Sequence, residues 1–171
     1  MATRELPMAR AIACAGAIAG TLDITDALLF AWMRGVPPVR VLHAIASGVL
    51  GADAADGGAA AAALGLALHF FIAYTVSTVF IVAAAHLSWL VRYAVPAAMA
   101  YGIGVMLVMQ FIVLPLAGFS GGLAWRPASF NLVFAHLFCV GLPIGFITRR
   151  FSTRTPRTRQ SPLRAGLSPG D

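Results

Sequence analysis

Four apolar stretches, each long enough to cross a bilayer, take up most of this 171-residue chain. A membrane-crossing helix needs about 20 mostly apolar residues. Such stretches cover residues 11–33, 59–85, 96–116 and 130–147. Only 11% of the residues are charged, against about 25% in a typical soluble domain. The sequence therefore predicts an all-α, polytopic membrane protein with a four-helix transmembrane bundle over residues 11–148.

A further helix is predicted between the first two spans. Residues 38–50 are too short to cross a membrane. Arg40, His43 and Ser47 recur at helical spacing on one side, and apolar residues fill the other. This pattern is typical of a short amphipathic helix that lies in the membrane interface. A re-entrant segment is the alternative.

The start of the chain superficially resembles a secretory signal. Only three apolar residues separate Arg10 from Cys14, whereas a signal peptide has an apolar run of about 7–15 residues before its cleavage site. We therefore expect a retained first helix, preceded by a cytoplasmic segment over residues 1–10. Both cysteines, Cys14 and Cys139, fall in apolar stretches, and we expect buried, inert thiols.

The basic residues are all arginines, and their placement predicts the orientation. Six of the twelve lie between Arg149 and Arg164, in a tail over residues 149–171 whose composition predicts disorder. With both termini cytoplasmic, nine arginines face the cytoplasm, against Arg34, Arg40 and Arg126 on the other side. This fits the positive-inside rule. The predicted location is the inner (plasma) membrane, multi-pass.

The expected partners follow from this placement. The lipid bilayer is the first, and the arginine tail is suited to binding anionic lipid. A homo-oligomer or a partner in a membrane complex is also compatible with the sequence. Nucleic acid is not expected, because the basic residues lie in a tail beside the membrane without interleaved aromatic residues.

Polar side chains inside the spans mark the candidate site. Ionisable groups within a membrane are functional hypotheses by default, and they face the bundle interior. The strongly polar side chains of the four predicted spans all lie at mid-depth or in the outer half of the predicted bundle. The predicted intramembrane polar site consists of Asp23, Asp26, His69, Gln110, Asn131 and His136.

Small residues share the helical faces of the ionisable groups. Gly16 and Gly20 lie on the face of Asp23, and Gly65 lies on the face of His69. Small residues spaced in this way let two helices approach closely. We therefore expect these three glycines to mark helix-packing surfaces.

The carboxylates and the histidines each leave alternatives open. Asp23 and Asp26 fit an interhelical polar clamp, a proton- or ion-handling site, the floor of a polar cavity, or a water-filled vestibule with no specific ligand. His69 and His136 fit hydrogen bonds to a carboxylate. Metal ligation lacks the usual His-x-x-x-His or Glu-x-x-His spacing. Bis-histidine haem ligation needs two histidines at similar depth, whereas the expected depths of His69 and His136 differ by about five residues. We therefore predict no metal site and no cofactor.

Part of the chain resembles a known group of membrane proteins. Residues 108–116 (VMQFIVLPL), followed by Asn131 and His136-Leu137, resemble the last two helices of small bacterial inner-membrane proteins of the YagU-like group. Residues 35–42 (GVPPVRVL) resemble related proteins. The resemblance implies a four-span inner-membrane protein and no activity. It places Gln110, Pro115, Asn131 and His136 at corresponding positions, although the Asn–His spacing differs here.

Three functional hypotheses remain, and none of them is clearly enzymatic. The first is a small transporter or a proton- or ion-handling protein, with its polar site in the outer half of the bundle. The alternative is a structural or accessory subunit of a larger membrane complex, with the polar groups acting only as clamps. The third is a haem- or metal-binding membrane protein.

Overall fold

The computed structural model describes residues 5–118 and 127–152, and these residues form helices joined by short connections, with no strand among them. Four helical stretches are long and apolar enough to cross a membrane: Met8–Met33, Gly58–His86, Ala94–Leu116 and Ala128–Phe151. This confirms the all-α prediction with four helices of spanning length. Most of the arginine tail, Arg4 and Arg126 lie outside the described residues.

We number the helices in chain order. Helix α1 is Glu5–Met33, α2 is Val39–Leu50, α3 is Gly58–His86 and α4 is Ser88–Arg92. Helix α5 comprises Ala94–Val108, a π-helical segment Met109–Val113 and a final turn Leu114–Leu116. Helix α6 comprises Pro127–Phe134, a π-helical segment Ala135–Gly141 and Leu142–Ser152. A 3-10 turn, Gly51–Ala55, follows α2.

The bundle is arranged with α1 and α6 at its centre. Helix α1 packs against α3 and α6, and α6 packs against α5. Helices α3 and α5 have far less contact with each other. We call the end that carries α2 the α2 end. The opposite end, which carries α4 and the described ends of the chain, is the terminal end.

Small side chains let the central helices approach closely. Ala11, Ala15 and Ala19 form a buried stripe on α1. In the same core cluster, Phe80 of α3 and Ile144 of α6 are buried near the terminal end. An alanine stripe has little side chain to keep neighbouring helices apart, as is usual at helix contacts within membranes.

The glycines singled out from the sequence lie at helix contacts. A Cβ at Gly16 would clash with the Tyr74 ring, and one at Gly20 would lie 2.9 Å from the Phe70 ring. A Cβ at Gly65 would clash with the backbone carbonyl of Leu42 in α2. The absence of a Cβ at Gly16 and Gly20 therefore lets side chains of α3 pack against α1. The absence of a Cβ at Gly65 lets the backbone of α2 pack against α3.

Helix α2 is packed on α3. Besides the Leu42–Gly65 contact, His43 Nε2 lies 2.9 Å from the carbonyl oxygen of Gly58, and Ala46 is fully buried. Gly65 is seven residues into α3, or about 10 Å along its axis. The buried face of α2 is thus covered by protein, and its depth in a membrane stays a prediction.

The two cysteines differ from expectation. Cys14 is exposed and Cys139 is half-buried. The predicted burial is therefore wrong for Cys14, because it lies on the outward face of α1, away from the alanine stripe.

Candidate functional site

A cavity of about 180 Å³ is lined by residues of α1, α2, α3, α5 and α6. Each of the four long helices contributes one polar side chain to its lining: Asp23 from α1, His69 from α3, Gln110 from α5 and His136 from α6. Ile45 of α2 adds to the wall. Four of the six predicted polar residues are therefore brought together at one cavity.

A backbone contact fixes the proton position on His69. The Nε2 atom lies 2.8 Å from the carbonyl oxygen of Gly20. A carbonyl oxygen only accepts, so Nε2 carries the hydrogen and donates it. The other ring nitrogen, Nδ1, lies 4.0 Å from Asp23 Oδ2. That separation is too long for a direct hydrogen bond.

His136 is held in the opposite tautomer. Its Nδ1 atom lies 2.9 Å from the carbonyl oxygen of Leu132, one turn earlier in the same helix. By the same reasoning Nδ1 donates. In the neutral ring, Nε2 is then the acceptor. Each histidine thus uses one nitrogen to anchor its ring to the backbone and keeps the other as an acceptor.

Two π-helical segments carry cavity residues. Gln110 lies in Met109–Val113, and His136 lies in Ala135–Gly141. Each segment ends two residues before a proline, Pro115 or Pro143. A proline inside a helix lacks an N–H donor, and its ring clashes with the carbonyl four residues earlier. A widened turn relieves that clash, and such turns are frequent at functional sites.

The other two predicted polar residues form a separate pair. Asn131 Nδ2 donates a hydrogen bond to Asp26 Oδ2 across 2.7 Å. Neither residue lines the cavity. Asp26 is one turn closer to the α2 end than Asp23. The two carboxylates of α1 are therefore in different settings, one paired with an amide and one beside the cavity.

Asp23 is the only acidic residue in the cavity lining, among the described residues. A quarter of its side chain is exposed. His69 Nδ1 lies 4.0 Å from its Oδ2 atom, and His136 lines the same cavity. No arginine lines the cavity within the described chain. The carboxylate of Asp23 therefore sets the sign of the charge in the cavity.

Tyr101 bridges α5 and α3 on the terminal side of the cavity. The Tyr101 hydroxyl of α5 donates to the carbonyl oxygen of Val76 in α3 across 3.0 Å, and the Tyr101 ring packs on Phe80 with centroids 5.3 Å apart. Ile144 is fully buried in the same core cluster. These contacts join α3 and α5 on the terminal side of the cavity.

Two buried hydroxyls lie farther toward the terminal end. Ser77 Oγ and Thr148 Oγ1 have no hydrogen-bond partner in the described part of the chain. Thr75 and Thr78, beside Ser77 on α3, each donate to the carbonyl four residues earlier, as helical hydroxyls often do. Ser77 therefore differs from both of its neighbours.

A metal site is not formed by the described residues. Within 5–118 and 127–152, no three His, Cys, Asp or Glu side chains come together as a metal centre would require. Asp23 and the two histidines therefore do not form such a centre, although their free ring nitrogens and carboxylate are suitable ligand types.

Some contributors to the site do not follow from the sequence reasoning above. Ile45 lines the cavity from α2, and the hydroxyl of Tyr101 donates to the carbonyl oxygen of Val76, a lining residue. The π-helical segments also went unpredicted, although their signal is present. Pro115 and Pro143 each lie within an apolar stretch of spanning length, where a proline requires a local change in the helix.

Comparison of the chain with protein-family models, curated proteins and solved structures gives no match. The resemblance to the YagU-like group therefore stays a prediction.

Proposed function

We propose that this chain is an integral membrane protein that moves a proton, an ion or a small solute through the cavity between α3 and α5. One observation carries the proposal: each of the four long helices places one polar side chain at the same cavity. Polar groups of this kind are costly within a membrane and mark substrate or ion pathways.

The proposal divides the two carboxylates by role. Asp23 faces the cavity without a direct hydrogen bond to His69, so we assign it the transported cation or proton. Asp26 is paired with Asn131 at 2.7 Å, so we assign it to holding α1 against α6. Asp23 thus belongs to the proposed ion site, and Asp26 to the proposed interhelical clamp.

The orientation completes the proposal. With both termini cytoplasmic in an inner (plasma) membrane, the arginine distribution fits the positive-inside rule. The cavity then lies in the outer half of the bundle, and the Tyr101–Val76 contact lies on its cytoplasmic side. Passage to the cytoplasm requires α3 and α5 to separate there, as in alternating access.

A second candidate function is an accessory subunit of a larger membrane complex. The specific observation is the start of α3, where Ala59, Ala60, Ala63 and Ala67 are all exposed. Exposed small residues would let a partner helix approach closely. Purification in mild detergent tests this candidate. A partner that co-purifies with wild-type protein and is lost on Ala63→Leu substitution would favour this candidate. Purification of the chain without any partner would argue against it.

Flux through reconstituted protein tests the lead proposal. Wild-type protein in liposomes is expected to conduct protons or a monovalent cation above the level of protein-free liposomes. Asp23→Asn should abolish the flux while the protein stays folded in detergent. Asp56→Asn is the matched control, because it removes one carboxylate from an exposed connection. Equal flux in folded Asp23→Asn and wild type would refute the assignment of Asp23.

A further inference from the structure

We propose that the cavity binds a small primary ammonium ion that carries an apolar body of about four carbon atoms. This inference rests on the proposed transport function, because it names the class of solute that the same cavity takes. It follows from the hydrogen-bonding groups, the charge and the walls of the cavity.

The hydrogen-bonding groups that face a ligand are mainly acceptors. His69 and His136 each use one N–H on a backbone carbonyl. When the rings are neutral, His69 Nδ1 and His136 Nε2 are left as acceptors. Asp23 adds two carboxylate oxygens. Gln110 is the only lining side chain, among the described residues, whose amide offers both N–H donors and a carbonyl acceptor. A ligand that donates several hydrogen bonds from one atom suits this set.

The spacing of two acceptors suits a tetrahedral donor. Asp23 Oδ2 and His69 Nδ1 are 4.0 Å apart. About 2.8 Å is the usual length of a charge-assisted hydrogen bond. For a nitrogen at that distance from both atoms, the acceptor–nitrogen–acceptor angle is about 90°. That angle is near the tetrahedral angle between two N–H bonds of an ammonium group. One ammonium nitrogen can therefore donate to Asp23 and His69 together.

The charge of the cavity selects a cation. Asp23 supplies a negative charge, and no arginine among the described lining residues offsets it. An anionic solute would lie beside this carboxylate with no fixed cation to pair with it. Like charges at close range in a poorly solvated site are strongly unfavourable, so a carboxylate or phosphate ligand is disfavoured.

The walls select an organic cation over a metal ion. The remaining lining residues are apolar: Ala19, Ile45, Ile72, Ala73, Val76, Val105, Met109, Leu114, Leu132 and Val140. A hard cation such as Mg²⁺ or Ca²⁺ needs about six or more oxygen ligands. Asp23 and Gln110 together offer three side-chain oxygens. An alkylammonium instead places its charge at Asp23 and its carbon chain against the aliphatic walls.

The size of the cavity limits the length of the body. Its volume is about 180 Å³, and an apolar protein cavity of about 150 Å³ is known to hold benzene, which has six heavy atoms. n-Butylammonium, with five heavy atoms, therefore fits with some room.

Binding of three matched probes to the full chain in zwitterionic nanodiscs at pH 7 tests the inference. The probes are n-butylammonium, neutral n-butanol and anionic n-butyrate, followed by ligand-detected NMR. We expect n-butylammonium to bind wild-type protein more tightly than either of the other probes. Stronger binding of n-butyrate, or equal binding of all three, would overturn the inference. This comparison needs no variant, so it stands even if a variant fails to fold.

Substitution then locates the binding. Asp23→Asn should weaken n-butylammonium binding by at least about tenfold, as expected for loss of a charged hydrogen-bond partner. Asp56→Asn removes the same charge from an exposed position and should leave binding unchanged. Equal weakening by both variants would show only general attraction to acidic protein and would overturn the site assignment.

The two proposals fail separately. If Asp23→Asn abolishes cation flux in liposomes but n-butylammonium does not bind, transport stands and the ammonium class is wrong. If n-butylammonium binds through Asp23 but wild-type liposomes show no flux of protons, monovalent cations or the amine itself, the cavity is a binding site and the transport function is wrong.

Discussion

Asn131 Nδ2 lies 2.7 Å from Asp26 Oδ2, and this hydrogen bond joins residues 105 positions apart in the chain. It connects the α2 ends of the first and last long helices. Asp23, one turn away on α1, has no such partner and lies 4.0 Å from His69 Nδ1. Two carboxylates that look equivalent in the sequence therefore have different environments in the fold.

The Asp26–Asn131 pair should be measurably coupled in stability. We expect Asp26→Ala and Asn131→Ala each to destabilise the bundle. In a double-mutant cycle, the coupling should be about 0.6 kcal/mol and at most about 1.7 kcal/mol, the average and the maximum that such cycles give for interhelical hydrogen bonds in a membrane protein. Reversible unfolding in mixed micelles measures it. Strictly additive effects of the two substitutions would show that the pair does not hold α1 against α6.

Two glycines of α5 should respond oppositely to the same substitution. A Cβ at Gly102 would clash with the carbonyl oxygen of His136, whereas one at Gly104 meets nothing within 4 Å. Gly102→Ala should cost about 1–3 kcal/mol through overpacking. Gly104→Ala should be neutral or stabilise by up to about 1 kcal/mol through helix propensity. Thermal unfolding of both variants tests the close approach of α5 and α6, and equal effects would contradict it.

The buried hydroxyl of Ser77 should be dispensable for stability. It is fully buried and has no hydrogen-bond partner in the described chain. An unsatisfied buried polar group costs about 1–3 kcal/mol, so Ser77→Ala should leave stability unchanged or raise it. Thr78→Val, which removes a hydroxyl that donates to the Tyr74 carbonyl, provides the comparison. A clear loss of stability in Ser77→Ala would reveal a partner for this hydroxyl.

Labelling of introduced cysteines should report the orientation of the bundle. Asp56 and Ser88 are exposed residues near opposite ends of α3. In intact cells, a membrane-impermeant maleimide should label Asp56→Cys, and it should label Ser88→Cys only after the cells are permeabilised. Cys14 and Cys139 lie within candidate spans and should react slowly. The reverse pattern would place the termini outside and contradict the arginine rule.

The sequence was sufficient to predict the helices of spanning length, because an apolar run of about 20 residues has few other stable states. Counting along each helix predicted that the polar residues lie at mid-depth or in the outer half of the bundle, and that depth stays a prediction. Gln110 and His136, on different helices, do line one cavity with Asp23 and His69. Helical periodicity could indicate which face of α1 carries Asp23, because that face also carries Gly16 and Gly20.

The pairing between helices could not be predicted in the same way. Whether Asn131 contacts Asp26 or Asp23 depends on how α6 is rotated about its axis relative to α1. The π-helical segment Ala135–Gly141 changes the rotation between the two parts of α6 that it joins. The position of α2 could not be predicted from the sequence either. Its amphipathic pattern fits a membrane interface or a protein surface, and only the Leu42–Gly65 contact shows that α3 covers its buried face.

The central claim is that Asp23 serves transport while Asp26 serves the fold. The most direct test measures flux in liposomes and thermal stability in detergent for Asp23→Asn and Asp26→Asn side by side, with Asp56→Asn as the charge control. The account predicts that Asp23→Asn loses flux and keeps its stability, whereas Asp26→Asn keeps most of its flux and melts at a lower temperature. Folded Asp23→Asn protein with wild-type flux would contradict it.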